Sequence, residues 1–424
     1  MKFRTILLAT AALLLLAAAP AYVPAQGLNP PASRDAGRDM SEEQAVQLFV
    51  RALREVRERY VDRMSERELA EIAVQAMVGR DRWSKYMDEG QYRDIQADNQ
   101  GSLVGIGIRF EVKENAARVT ETFLGSPAAE AGLRAGDLIQ DIDGRTLAGL
   151  TVDQVRALIR GEEGSAVRVT VASPDGARRE VSLRRRAVTV PSVAHTTVDG
   201  IGYVRIGKFD QQTVPGFEAA LKGFRRGPAL AGIVLDLRDC PGGLVDASVE
   251  IADALLEGGK IITTEGRDRR ADDTVSARPG DDTGGLPVVV LVNGRTASAA
   301  EILAGALQDN HRAVLVGTKT FGKGVIQSTR PLPGGGAIRL TTARYITPSG
   351  RKVHEVGIMP DFQLGSAEST PVPWGARPDP AEDVQLAQAM TLLGQGTRPA
   401  MPRTTTAGMA QGAPAEGGNA EAGR

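Results

Sequence analysis

The sequence predicts a mixed α/β protein, with a core of buried strands alternating with helices, a β-rich module inserted ahead of that core, and a small helical N-terminal region. Three observations carry the expectation. Gly232 to Leu237, Val288 to Val292 and Ala313 to Val316 are apolar runs of strand length, and the helix-forming stretches Val214 to Phe224 and Ala297 to Leu307 alternate with them. From Gly101 to about Arg186 the pattern changes to short strands punctuated by glycine. From Ser41 to Gly90 apolar residues recur at helical spacing.

At 424 residues, 42% hydrophobic and with a net charge of −1, the chain is globular material for two or three domains, and its balanced charge gives no reason to expect nucleic acid. Lys2 and Arg4 precede an apolar run from Ile6 to Ala19, followed by Ala19-Pro20-Ala21 and Val23-Pro24-Ala25. That run is short for a bilayer span. Residues 1–25 therefore read as a secretory signal peptide cleaved after Ala21 or Ala25, with an uncleaved anchor as the alternative. The expected location is the bacterial periplasm or cell envelope. The only cysteine, Cys240, lies far from the cleavage site, so a lipoprotein is not expected and no intrachain disulfide can form.

Residues 26–40 form a Pro/Gly/Asp-rich linker. In the helical region, 41–100, Ser41-Glu42-Glu43 followed by Ala45, Val46, Leu48 and Phe49 reads as a capped amphipathic helix, and Glu66 to Met77 as another. This region is expected to pack beside the core or to mediate assembly, a homo-oligomer being the simplest form. In Asp81-Arg82-Trp83-Ser84-Lys85-Tyr86 the aromatics are expected in the core.

Within 101–187, Leu103 to Ile108 begins a strand, Ser126-Pro127-Ala128 starts a short helix that closes at Gly132, and Gly136 to Ile139 opens another strand. Thr151 to Ile159 is a helix capped by Thr151 or Asp153. The stretch resembles a PDZ domain of the bacterial protease type. Gly105 and Gly107 would let the backbone approach a ligand, so that free N–H groups hold a terminal carboxylate while the strand edge pairs with a peptide. Leu103, Ile106 and Ile108, with Val155 and Ile159, would line an apolar pocket; for Ile108 and Ile159 plain burial in a small β-core is the stronger reading. The arginines at 178–179 and 184–186 read as solvated edge charges that block strand pairing.

The core spans 188–365. Its strand Gly232 to Leu237 runs into Arg238-Asp239-Cys240-Pro241-Gly242-Gly243, a loop whose preorganised N–H groups suit an oxyanion. Val288 to Val292 leads through Asn293-Gly294 into a helix with Thr296 as N-cap, which puts Ser298 in its first turn, at an anion-friendly helix N-terminus. The helix carries the chain away by roughly 20 Å and the strand Ala313 to Val316 brings it back by a similar length, which returns the Thr318 to Gly324 turn to the level of Ser298. Lys323 sits in that turn. Of three histidines, His311 lies at the far end of the serine's helix, and His195 and His354 have no nucleophile signature around them. Lys323 is therefore the better base for Ser298, provided burial lowers its pKa, and Gln327 could hold its amine. Cys240 has no histidine placed to make it a nucleophile.

T-A-S-A-A-E, A-G-A-L-Q-D-N and T-F-G-K-G-V-I-Q resemble the carboxyl-terminal processing, or tail-specific, proteases, serine peptidases with a serine–lysine dyad and a PDZ domain. The resemblance, over roughly Ser41 to Leu393, implies a crotonase/ClpP-like core. It makes Ser298 the nucleophile, Lys323 the base, Gln327 the orienting third member and Asp309 a structural acid at the helix end. The L-D-L-R-x-x-P-G-G match implies an oxyanion hole from Gly242 or Gly243 with the Ala299 N–H. Two departures are Ala300, where many relatives have a second serine, and Cys240, where many have asparagine. The closing motifs T-P-S-G-R and G-I-M-P-D also match. Residues 366–393 form an extension with a helix from Val384 to Leu393, and 394–424 are expected to be disordered. The expected function is an exported endopeptidase that captures C-termini of unfolded or tailed proteins, with an adaptor or activating partner, and needs neither metal nor cofactor. The alternative is a catalytically silent PDZ scaffold.

Overall fold

In a computed structural model the described residues are 40–113, 115–267, 272–365 and 374–394; the expected signal peptide, nearly all of the linker and the tail from 395 lie outside them. Two units divide after Ile72. The first carries the helix Glu42–Arg59, whose N-terminus closes in a capping box between Ser41 and Gln44. No helix among the described residues is long and apolar enough to cross a membrane.

The second unit is built on a six-stranded sheet, in the order 193–198, 201–206, 233–236, 288–292, 313–317, 362–363. The first pair is antiparallel and every later pair parallel. Alternation along Val288–Val292 divides the layers. Val288, Val290 and Val292 pack with residues of the helices Thr213–Arg226, Val245–Leu255 and Ala299–Asp309, whereas Val289 and Leu291 pack with Leu386, Ala389 and Leu393 of the helix Val384–Gly394. A sheet covered on both faces explains why these strands are apolar throughout. A second, antiparallel sheet is organised on the long strand Ala337–Ile346, which pairs with Lys85–Met87, Val325–Pro331 and Lys260–Gly266. The mixed α/β fold is the one the sequence predicts.

The inserted module is a five-stranded antiparallel path, 108–113, 116–122, 138–142, 166–172, 178–184, with its own core. Its helix Val152–Ile159 is capped by Thr151, whose hydroxyl accepts from the Gln154 N–H. Ser102–Gly105 pairs with Arg186–Thr189, so the module's entry and exit strands lie together.

One buried network ties the C-terminal extension to the core. Arg238 donates to Asp236, Asp383 and Gln385, and Tyr203 donates to Asp236. Burial works against the Arg238 charge, but the Asp236 carboxylate outweighs it and pushes the guanidinium pKa up. Removing Asp236 leaves the buried Arg238 charge with Asp383 as its one carboxylate partner and leaves the Tyr203 hydroxyl without its acceptor. Asp236→Ala is therefore expected to cost about 3–5 kcal/mol in urea unfolding at neutral pH, whereas a loss under 1 kcal/mol would mean that water replaces the carboxylate.

Candidate active site

Ser298 does not lie within the first helical turn. The helix starts at Ala299, and Ser298 occupies the preceding position at φ 57° and ψ −119°. These are the dihedrals of the first central residue of a type II′ turn, where glycine is usual, and a serine persists there only because its surroundings hold it. The Ala297 N–H donates to the Cys240 carbonyl at 2.9 Å, the Phe321 N–H to the Thr296 carbonyl at 3.0 Å, and the Tyr345 hydroxyl to the Ser298 carbonyl at 3.3 Å. Thr296 does not cap the helix either. Its hydroxyl takes the Asn293 N–H and donates to the Leu237 carbonyl, joining two strand ends. The result is a sharp strand-to-helix elbow that lifts the serine out of the helical repeat, in the manner of other strained nucleophile turns.

Glu301 joins the serine to the lysine loop. Its buried carboxylate accepts from the Ser298 N–H at 2.9 Å, the Lys323 N–H at 2.9 Å, the Gly322 N–H at 2.7 Å and the Thr320 hydroxyl at 2.6 Å. Burial pushes this carboxyl up, against the four donors that favour its ionised form. Sequence reasoning missed Glu301, although Ser-x-x-Glu at 298–301 is a capping-box spacing that could have singled it out. The two glycines beside Lys323 serve different ends. Gly322 adopts φ 90°, while a Cβ on Gly324 would stand 2.2 Å from the His354 backbone nitrogen. Both let the turn at 353–357 pack directly on the lysine loop.

Lys323 is partly buried. Burial lowers its pKa, the Arg339 charge lowers it further, and Glu301 opposes both. Its ammonium lies 4.8 Å from the centroid of the Trp83 ring. Ser298 Oγ faces the Glu301 N–H in a capping box and is not hydrogen-bonded to Lys323 Nζ, so the loops are joined while the reactive atoms are not. Gln327 is not brought to the amine. A bulge between Ile326 and Gln327 shifts the register, and the Gln327 amide donates to the carbonyl of Val325 on its own strand. Asp309 takes the Ser349 N–H and pairs with Arg351, a structural place at the helix end.

The glycine loop separates its two candidates. The Gly242 N–H points to the Cys240 sulfur, whose thiol burial pushes up to about 12. The Gly243 and Ala299 N–H groups have no acceptor among the described residues. Gly242 packs so closely that a Cβ there would lie 2.7 Å from Ser298 Cβ and 2.6 Å from the Ala297 carbonyl. The loop is thus pressed against the serine's elbow.

In the inserted module most of the expected peptide-contacting residues are core. Ile106, Ile108, Val155 and Ile159 are buried in its apolar cluster, and the space a Cβ on Gly107 would take is filled by Ser126 at 2.2 Å. The glycine there serves internal packing and not the approach of a ligand. Gly105 likewise abuts Leu103 and Ile159. Of the set, Leu103 lines a cavity of about 550 Å³, together with Arg109 and Arg156 of the module and Lys208, Asp210 and Pro241 of the core. Pro241 is the first residue of the Pro-Gly-Gly loop, so that loop borders the cavity, although neither Ser298 nor Lys323 lines it.

Fold and comparisons together define a serine peptidase that carries a PDZ domain. Residues 200–364 match Peptidase family S41 and residues 123–173 match a PDZ domain. The chain is 35% identical over 386 residues to a carboxy-terminal-processing protease of Bartonella bacilliformis, covering 82% of this chain and 88% of that one. A probable CtpA-like serine protease of Staphylococcus haemolyticus is 32% identical over 339 residues, 78% of this chain and 67% of the relative. A solved putative S41 protease from Bacteroides fragilis shares the fold with a TM-score of 0.54 at 19% identity, covering 76% of this chain and 90% of that structure. The chain belongs to the carboxy-terminal-processing proteases of peptidase family S41, whose substrates are peptides or proteins.

Proposed function

We propose that this protein is an exported endopeptidase that captures protein C-termini with its PDZ domain and cleaves them with Ser298 and Lys323. The Glu301 carboxylate, which ties the Ser298 backbone to that of Lys323, is the observation that carries this reading. Neutral Lys323 takes the Ser298 hydroxyl proton as Oγ bonds to the scissile carbonyl carbon. The oxyanion forms at the N–H groups of Gly243 and Ala299. Lys323 then returns the proton to the leaving amine as the C–N bond breaks, and water attacks the acyl-enzyme with the same lysine as base. Gln327 steadies the amine once Lys323 turns inward. Residues 1–25 direct export, and the cavity from Leu103 to Pro241 guides a captured tail toward the serine. A silent PDZ scaffold has less support, because it would have no use for a strained serine beside unbonded N–H groups.

The test compares two unfolded reporters with the same apolar C-terminal sequence, one ending in a free carboxylate and one amidated. Loss of a charge-assisted terminal contact is expected to lower kcat/KM for the amide by about 10- to 100-fold. Equal cleavage of both would remove terminus capture from the reading and leave the peptidase.

A further inference from the structure

Trp83 is held rigidly against the lysine loop. Asp81 accepts from the Trp83 and Ser84 N–H groups at 2.7 Å each, the Ser84 hydroxyl donates to Asp81 at 2.8 Å, and the Thr341 N–H donates to the Ser84 hydroxyl at 3.0 Å. The strand Lys85–Met87 then pairs with one side of Ala337–Ile346. On the other side lies Val325–Pro331, which begins two residues after Lys323. One long strand therefore sets both partners. The Lys323 ammonium sits 4.8 Å from the indole centroid, Phe321 meets the indole edge-on at 6.2 Å, and the Arg82 guanidinium lies 4.5 Å from the same ring.

We propose that Trp83 is a positioning residue for Lys323, whose indole face holds the ammonium off Ser298 Oγ in the resting enzyme and releases it as the neutral amine that acts as base. The inference rests on the serine–lysine reading. A ring face attracts a cation and has no such hold on an amine, so the contact favours the protonation state that cannot accept the serine proton. The other groups facing Lys323 act in both directions. Glu301, from the serine's helix, favours the charge, and Arg339, from the long strand, opposes it. Arg82 competes for the same indole, and the turn bearing His354 packs on Gly324 by its backbone. Burial draws Lys323 toward neutrality while Trp83 holds the charged form, and loss of the proton frees the side chain to turn to the serine.

The experiment is a pH profile of kcat/KM for wild type, Trp83→Leu and Trp83→Phe. The leucine variant is expected to show basal kcat/KM at neutral pH raised roughly threefold, with its acid limb moved to lower pH, because the charged form alone has lost a partner. Trp83→Phe, which keeps a ring face, is expected between the two. A second readout covers poor folding of Trp83→Leu. The chain has two tryptophans, so in Trp374→Phe the emission of Trp83 alone is followed; it is expected to titrate with the acid limb and to stop titrating when Lys323→Met is added. An unmoved profile, a limb moved to higher pH, or emission that titrates without Lys323 overturns the proposal. If Lys323→Ala remains active the dyad reading has failed, whereas an inactive Lys323→Ala with an unmoved Trp83→Leu profile overturns the positioning role alone.

Discussion

Ser298→Ala and Lys323→Ala are each expected to abolish cleavage of an unfolded reporter, with kcat/KM falling on the order of 10⁴-fold or more and with little change in thermal stability. The size follows from a covalent mechanism in which the two side chains act as a unit, so that removing either costs about as much as removing both. Stability is largely spared because the two side chains are not bonded to each other, each is replaced by a smaller one, and the Glu301 carboxylate still accepts from both backbones. Lys323→Arg does not rescue, since a guanidinium stays protonated at any working pH. The pH dependence of the wild type follows from the same group. Burial and Arg339 lower the Lys323 pKa, so with Lys323 as the proposed base kcat/KM is expected to rise with pH at a lower pH than an ordinary lysine would allow. A Lys323→Ala variant that still cleaves, with the same acid limb, would remove the lysine from the mechanism.

Glu301→Ala is expected to have the next largest effect, and through geometry. Alanine leaves the N–H groups of Ser298, Gly322 and Lys323 buried without an acceptor, each costing about 1–3 kcal/mol. The two loops then lose their shared anchor. A displacement near 1 Å between nucleophile and base is enough to cost about 100-fold in kcat. Glu301→Gln does not restore the wild type, because its NH₂ group would face N–H donors where the carboxylate presents a second acceptor. The loss should fall on kcat more than KM, as a substrate bound in the PDZ-side cavity does not touch Glu301. A folded Glu301→Ala enzyme with wild-type kcat would show that the elbow and the lysine loop hold their register without this anchor.

Much of the fold could be read locally. The apolar runs Val288 to Val292 and Ala313 to Val316, the helix between them and the Ser41 and Thr151 caps depend on residues a few positions apart, and they appear in the structure within about two residues of their predicted ends. Ser298 was legible as a residue but not in its conformation. The good helix formers from Ala297 onward place it in a helical turn, and the packing of Cys240, Phe321 and Tyr345 around it imposes another backbone. The glycines of the PDZ domain misled for a related reason. A glycine that admits a ligand and one that admits Ser126 have the same sequence signature, and only the neighbour in space separates them.

The sequence by itself determined the order of strands and helices and the family, and it sets Ser298 and Lys323 at a spacing a strand return can close, because periodicity, turn chemistry and motif spacing are all short-range properties of the chain. Tertiary structure alone decided how the pair is held and where the lysine rests. Glu301 acts by accepting from a loop about twenty residues away, Gly243 is separated from Gly242 by the Cys240 sulfur, and Trp83 meets Lys323 across 240 residues of chain. Such contacts form when a sheet brings distant segments into register, and no local pattern records which side chain will be standing on the neighbouring strand.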